Sequence, residues 1–171
     1  QGSKVWITGR NTKKLKKVFE KCKNKSKIFY NSIDVNNAGE LNKYINLLKK
    51  ETKYLDIIVY CCGTNIRSEF NNISNKEFNT VLNTNFISAF NFYKLIYPLV
   101  KNKKIKTRII NFTSIFSNRT FERRTSYSTS KAALKALTKS LALEWSDKNI
   151  TVNCISPGPF LTEINLPVLE N

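Results

Sequence analysis

Two patterns of apolar positions alternate along this chain, short runs rich in Ile, Val and Tyr and longer stretches in which apolar residues recur at helical spacing. They predict strands at 4–8, 27–33, 55–61, 107–113 and 150–155, separated by helices at 11–24, 37–52, 74–100 and 125–146. Strands that alternate with helices of this length imply a parallel sheet in an α/β fold. Ser74 and Glu77 make an S-x-x-E capping box, which starts the helix at 74–100, and Pro98 is expected to bend or end it. The β-branched run Arg108-Ile-Ile-Asn-Phe-Thr-Ser114 reads as a buried strand delivering Ser114 to a sheet edge. Beyond it, Ala132, Ala133, Ala136, Leu137, Leu141 and Leu143 are expected on one side of their helix.

Composition narrows the classes. A chain of 171 residues that is 41% hydrophobic is within the size of one domain, with no repeat, long linker or apolar run of membrane-spanning length. Its formal net charge of +17 could announce a nucleic-acid binder, but the lysines are spread over several helix faces and no nucleic-acid motif accompanies them. The reading is therefore no nucleic acid and no membrane. Four cysteines without C-x-x-C spacing, and no His, leave no zinc site and no other metal set. Cys61 and Cys62 are expected to be small buried hydrophobes, which fits a reducing, cytoplasmic setting.

The candidate chemistry lies in Tyr127-Ser-Thr-Ser-Lys131. One helical turn puts a phenol and an ammonium on the same face, where the cation can favour ionisation of the phenol. A phenol tuned downward is a usable acid/base. Taken alone, Y-x-x-x-K describes any two residues sharing a helix face. Its surroundings change the odds: a strand ending in Ser114 precedes it, and the strand Ile150-Thr-Val-Asn-Cys-Ile155 and the breaker Pro157-Gly158 follow.

This succession resembles the short-chain dehydrogenase/reductase family, in particular its 3-oxoacyl-carrier-protein reductase and gluconate 5-dehydrogenase types. Leu55-Asp-Ile-Ile-Val-Tyr-Cys-Cys-Gly63 looks like the family's fourth strand, and Val81-Leu-Asn-Thr-Asn85-Phe like its helix bearing the active-site Asn. Ser3 to Leu15 matches the second strand and its following helix, and Ile33-Asp34-Val35 the end of the third. The resemblance implies a single partial domain over residues 1–171. Its fold would be a Rossmann-like doubly wound parallel sheet with helices on both faces, lacking the first and last strands. The glycines are Gly2, Gly9, Gly39, Gly63 and Gly158, so the family's Gly-rich phosphate loop cannot be drawn. The chain thus reads as an internal fragment, expected to fold poorly by itself, with the second and fourth strands either exposing edges or pairing directly.

By the same resemblance, Tyr127 exchanges the proton of the substrate oxygen, Ser114 holds that oxygen, Lys131 lowers the Tyr127 pKa and bonds the nicotinamide ribose, and Asn85 anchors a water linking Lys131 to solvent. Arg10, at the end of the second strand where NAD users carry an acid, favours NADP(H) over NAD(H). Asp34 and Val35 would flank the adenine, Gly63, Pro157 and Gly158 would line the cofactor, and Thr162 would bond its carboxamide. The family's Asn-Asn-Ala-Gly is Tyr60-Cys61-Cys62-Gly63 here, a departure that removes the amides tying the central strands together. Phe116 and Arg124, with Arg67, Arg119 and Arg123, would border a substrate cleft suited to an anion such as a sugar acid. Lys103, Lys104 and Lys148 match loops that dock an acyl carrier. The implied protein is an NADP(H)-dependent oxidoreductase of a small-molecule or acyl-carrier-bound carbonyl, in a homo-oligomer, tetramer or dimer. The alternative is a non-catalytic scaffold derived from the family.

Overall fold

The computed structural model describes residues 2–101 and 104–159, and the chain divides into two compact units, residues 1–51 and 52–171. Both are α/β with parallel strands, as the alternation predicts.

The first unit runs β1 (Val5–Gly9), α1 (Thr12–Lys21), β2 (Ile28–Ser32) and α2 (Ala38–Glu51). β1 and β2 pair in parallel from Val5 opposite Ile28 to Gly9 opposite Ser32, and α1 is the crossover that parallel pairing requires. Asn11 starts α1 by accepting the Lys14 backbone N–H at 3.0 Å, one of the donors a helix start leaves unpaired. In α2, Leu41, Tyr44, Ile45 and Leu48 fall at helical spacing and are buried.

The second unit runs β3 (Ile57–Tyr60), α3 (Asn75–Leu82), a π-helical turn (Asn83–Ile87), α4 (Ser88–Val100), β4 (Thr107–Phe112), α5 (Thr125–Glu144) and β5 (Ile150–Ile155). The helix expected at 74–100 is thus α3 and α4 joined by the π turn. Its capping box is present, with Ser74 N donating to Glu77 Oε2 at 2.9 Å and Glu77 N donating to Ser74 Oγ at 3.2 Å. Pro98 sits in the last turn, and α4 stops at Val100.

The sheet order is β3-β4-β5, all parallel, with Ile58, Ile109 and Val152 in one row and Tyr60, Asn111 and Cys154 in another. β4 is central, so Ser114 follows the carboxyl end of the middle strand rather than a lateral edge. Side chains alternate across a pleated strand. Ile58, Tyr60, Ile109, Asn111 and Val152 are buried, whereas Ile57 and Val59 of β3 stay 61% and 53% exposed. Among the described residues β1 pairs with β2 alone and β3 with β4 alone, so each keeps one unpaired edge.

Two sequence expectations change. The buried stripe of α5 is Lys131, Leu134, Thr138, Leu141 and Trp145, whereas Ala132 and Ala136 are exposed and Leu143 is 78% exposed. Counting only apolar residues misplaced the stripe, because Lys131 and Thr138 are buried with partners: Phe112 O for the ammonium and Asn111 Nδ2 for the hydroxyl. Cys61 is exposed and Cys62 half-buried rather than core, since Cys61 continues the exposed Ile57 and Val59 face of β3.

Candidate active site

Parallel strands point their carboxyl ends the same way, so the segments after β3, β4 and β5 share one end of the sheet. Those after β4 and β5 are tied together there. Thr113 N donates to Ile155 O at 2.9 Å, Ile115 N to Pro157 O at 3.1 Å, and the Thr113 and Ser156 hydroxyls meet at 2.7 Å. This fixes Ser114, buried and extended, at the start of a 3-10 turn whose Phe116 N donates to Ser114 Oγ at 3.2 Å. Gly158 has open space around its Cα. Thr162 and Lys103 lie outside the described residues.

The first turns of α5 face Ser114. Burial pushes the Tyr127 phenol above its ordinary value, and a hydrogen bond from Ser114 and the charge of Arg124 pull the other way. The net direction is opposite to the lowered phenol expected from Lys131. That ammonium is only 4% exposed and donates to Phe112 O at 2.8 Å, with Nζ 5.8 Å from the centre of the Tyr127 ring. Burial drives its pKa down to about 8, opposed by the neighbouring Cys62 and Cys61 thiols.

Asn85 is fully buried in the π turn. Its Oδ1 accepts Thr64 N at 2.7 Å, and its Nδ2 donates to Thr64 O at 2.9 Å and to Ser130 Oγ at 2.9 Å. Ser130 in turn donates to Tyr127 O at 2.8 Å. Both amide hydrogens are therefore committed to protein, and the side chain clamps the loop after β3 to α5. Gly63 lies against this clamp. A Cβ there would come 3.4 Å from Lys131 Nζ and 3.5 Å from Asn85 Oδ1, ordinary contact distances, so the Gly63 backbone packs directly beside the ammonium and the clamp.

The departure at Tyr60 is compensated. Tyr60 OH bonds Ser88 Oγ at 2.7 Å, and Ser88 donates to Thr84 O at 2.7 Å, next to Asn85. Tyr93 OH donates to Asn111 Oδ1, and Asn111 Nδ2 donates to Thr138 Oγ1 at 2.9 Å. The strands are thus tied to α4 and α5 by phenols and one strand amide. Sequence reasoning missed these ties, and the only signal was a Tyr in place of the expected Asn.

The Arg124 guanidinium lies over the Phe116 ring at 5.5 Å, and Phe116 meets Tyr127 edge-on at 6.1 Å. Ser114, Phe116, Arg124, Tyr127, Lys131, Asn85 and Gly63 therefore all belong to the second unit.

In the first unit, Arg10 follows β1 and, with Asn11, Thr12, Lys13 and Lys14, lines a recess of about 780 Å³ at the start of α1. The first turn of α1 holds no acid, and its helix dipole adds positive potential. Sequence reasoning named Arg10 but not the two lysines. Asp34 Oδ1 accepts Asn36 N at 2.9 Å, so this carboxylate shapes the turn that leads past Val35 into α2. Among the described residues no cluster of three His, Cys, Asp or Glu is placed to hold a metal, and no helix is long and apolar enough to cross a membrane.

The sequence profile described as short chain dehydrogenase matches residues 1–171. A chloroplastic tropinone reductase homolog of Arabidopsis thaliana is 34% identical over 117 residues, 68% of this chain and 36% of the relative. A 3-oxoacyl-[acyl-carrier-protein] reductase of Chlamydia muridarum is 28% identical over 99% of this chain and 69% of its own length. The chain thus spans roughly a third to two thirds of the curated relatives it matches. Among solved structures, a gluconate 5-dehydrogenase from Burkholderia cenocepacia in complex with NADP and tartrate superposes with a TM-score of 0.89. It is 21% identical, over 99% of this chain and 67% of that one, and the likeness shows a Rossmann-like fold.

Proposed function

Because this chain belongs to the short chain dehydrogenase family, we propose that it serves an oxidoreductase that moves hydride between NADP(H) and a carbonyl or secondary alcohol. The observation that carries the reading is the convergence of Ser114, Tyr127 and Lys131 at the carboxyl end of β4. A carbonyl that accepts hydride develops negative charge on oxygen, and a positioned donor must neutralise it. A phenol held protonated through neutral pH by burial suits that donor role in the reducing direction. Ser114 orients the substrate oxygen against Tyr127. Lys131 supplies a cation beneath the site, and Asn85 fixes the loop carrying Gly63 against it.

Each unit, taken by itself, carries residues whose chemistry suits one part of a phosphorylated dinucleotide. Arg10, Lys13 and Lys14 at the start of α1 would grip a 2′-phosphate, with no acid in that turn to repel it. Gly63 would let the cofactor approach Lys131 closely. When bound, the dinucleotide supplies or takes the hydride. The NADP of the Burkholderia structure supports the same choice. The substrate is a small or acyl-carrier-bound carbonyl, for which sugar acids and 3-oxoacyl thioesters are the two classes suggested by similarity. Exposed Phe90 on α4 and Leu143 on α5 suit burial between copies in a homo-oligomer.

The test is Tyr127→Phe in the full-length protein. NADPH binding, read by its fluorescence, should persist while carbonyl reduction falls by a factor of about a hundred or more. Turnover at the wild-type rate would refute the assignment.

A further inference from the structure

Arg123 Nη2 pairs with Glu69 Oε1 at 2.8 Å, an ion pair that joins the segment after Gly63 to the start of α5. Arg67 lies two residues before Glu69 on one side of this pair, and Arg124 follows Arg123 and precedes α5 on the other. The two guanidiniums are near enough for Arg67 to repel the Arg124 charge, while the Tyr127 phenol favours it. Arg124 is half-buried on the Phe116 ring, which itself contacts Tyr127. Glu69 is committed to Arg123, and among the described residues no carboxylate pairs with Arg67 or Arg124. The first turn of α5 adds no acid and no side-chain cap, so its dipole reinforces the same sign. Two like charges within electrostatic reach of each other, one of them partly desolvated, are mutually destabilising. An anion seated between them would relieve that repulsion.

We propose that Arg67 and Arg124 form a carboxylate-binding subsite for the carbonyl substrate of Tyr127, which makes the preferred substrate a short oxoacid rather than a neutral ketone or a long carrier thioester. This rests on the oxidoreductase reading above. Phe116 touches both the guanidinium and the phenol ring, so the substrate would carry its charge within a few bonds of the reacting carbonyl. A carrier thioester bears its phosphate at the far end of a long neutral arm and cannot reach both. An arginine pair offers a carboxylate bidentate hydrogen bonds that a neutral ester cannot match.

The test compares reduction of 3-oxobutanoate and of its methyl ester by the full-length protein with NADPH. Succinate binding in the presence of NADP, measured by calorimetry, gives a readout independent of turnover. The proteins are wild type, Arg67→Ala, Arg124→Ala and Arg124→Lys. The wild type should prefer the oxoacid. Each Ala variant should lower the acid-to-ester ratio of kcat/KM roughly ten- to a hundredfold and weaken succinate in parallel. Arg124→Lys should recover part of both, and NADPH binding should be unchanged. Reduction of both compounds with no charge preference in the wild type overturns the subsite and leaves the oxidoreductase reading standing. Succinate binding that depends on the arginines, with neither compound reduced, supports the subsite and removes support from that reading. Arg124→Ala that weakens NADPH instead of succinate assigns the pair to the cofactor's phosphates and also overturns the proposal.

Discussion

Replacing Lys131 by Met should make the cofactor-free protein more stable at neutral pH, and should do so less as pH rises. The side chain is 4% exposed and its pKa falls from 10.5 to about 8, with burial as the main cause. The folded state therefore binds the Lys131 proton less tightly than the unfolded chain. Below pH 8 both states hold the proton and the full penalty is felt, on the order of 3 kcal/mol for a shift of this size. Between about 8 and 10.5 the native state has released a proton that the unfolded chain still holds, so stability climbs with pH until the penalty is gone. Methionine has a similar volume and no charge, but it forfeits the 2.8 Å bond to Phe112 O, which costs about 1 kcal/mol. The expected net gain at pH 7 is about 2 kcal/mol. Urea denaturation of both proteins at pH 7 and about 9.5 reads the difference directly, and the gap should shrink by roughly 2 kcal/mol over that interval. Titrating groups that do not interact with Lys131 cancel, because they are common to the pair. A gap independent of pH would refute the claim that Lys131 sits in its folded site as a strained cation.

Further perturbations test how the scaffold holds the site. Tyr60→Phe keeps the ring in the cluster with Phe92 and Tyr93 and removes the hydroxyl with its bond to Ser88 and its contact with the Cys62 thiol, so urea midpoints should report a loss of about 1 kcal/mol. An unchanged midpoint would mean that Ser88 alone satisfies the turn at Thr84. Trp145→Ala should cost about 3 to 5 kcal/mol in the same assay, since the indole is buried against Tyr93 and Tyr97. A loss below about 1 kcal/mol would show that α5 is held elsewhere.

The alternation of strands and helices was legible because each strand is a short apolar run between helices with clear starts, as at Asn11 and Ser74. Ends were less so: the helix expected to reach residue 24 stops at Lys21, where Cys22 turns extended. The α5 stripe was misplaced because hydropathy cannot tell that a lysine and a threonine find buried acceptors and donors across the sheet. Ser114, Tyr127 and Lys131 could be named from motif spacing, since one helix and one strand end carry them. The Asn85 clamp could not, and Arg67 and Arg124 could be named only among four arginines bordering a cleft, without their pairing. Each depends on a contact between distant segments, Asn85 with Ser130 and Arg123 with Glu69, that no local pattern encodes.

The Asn85 amide also sets an order of events during synthesis. Its partners are the backbone of Thr64, already made, and the hydroxyl of Ser130, translated 45 residues later. At ordinary elongation rates the ribosome needs several seconds to cover that distance. Throughout this interval a nascent chain can have α3 and α4 in place while one amide hydrogen has only water to meet. The loop carrying Gly63 is then pinned on one side alone. Chains interrupted ahead of α5 therefore emerge with this loop unclamped.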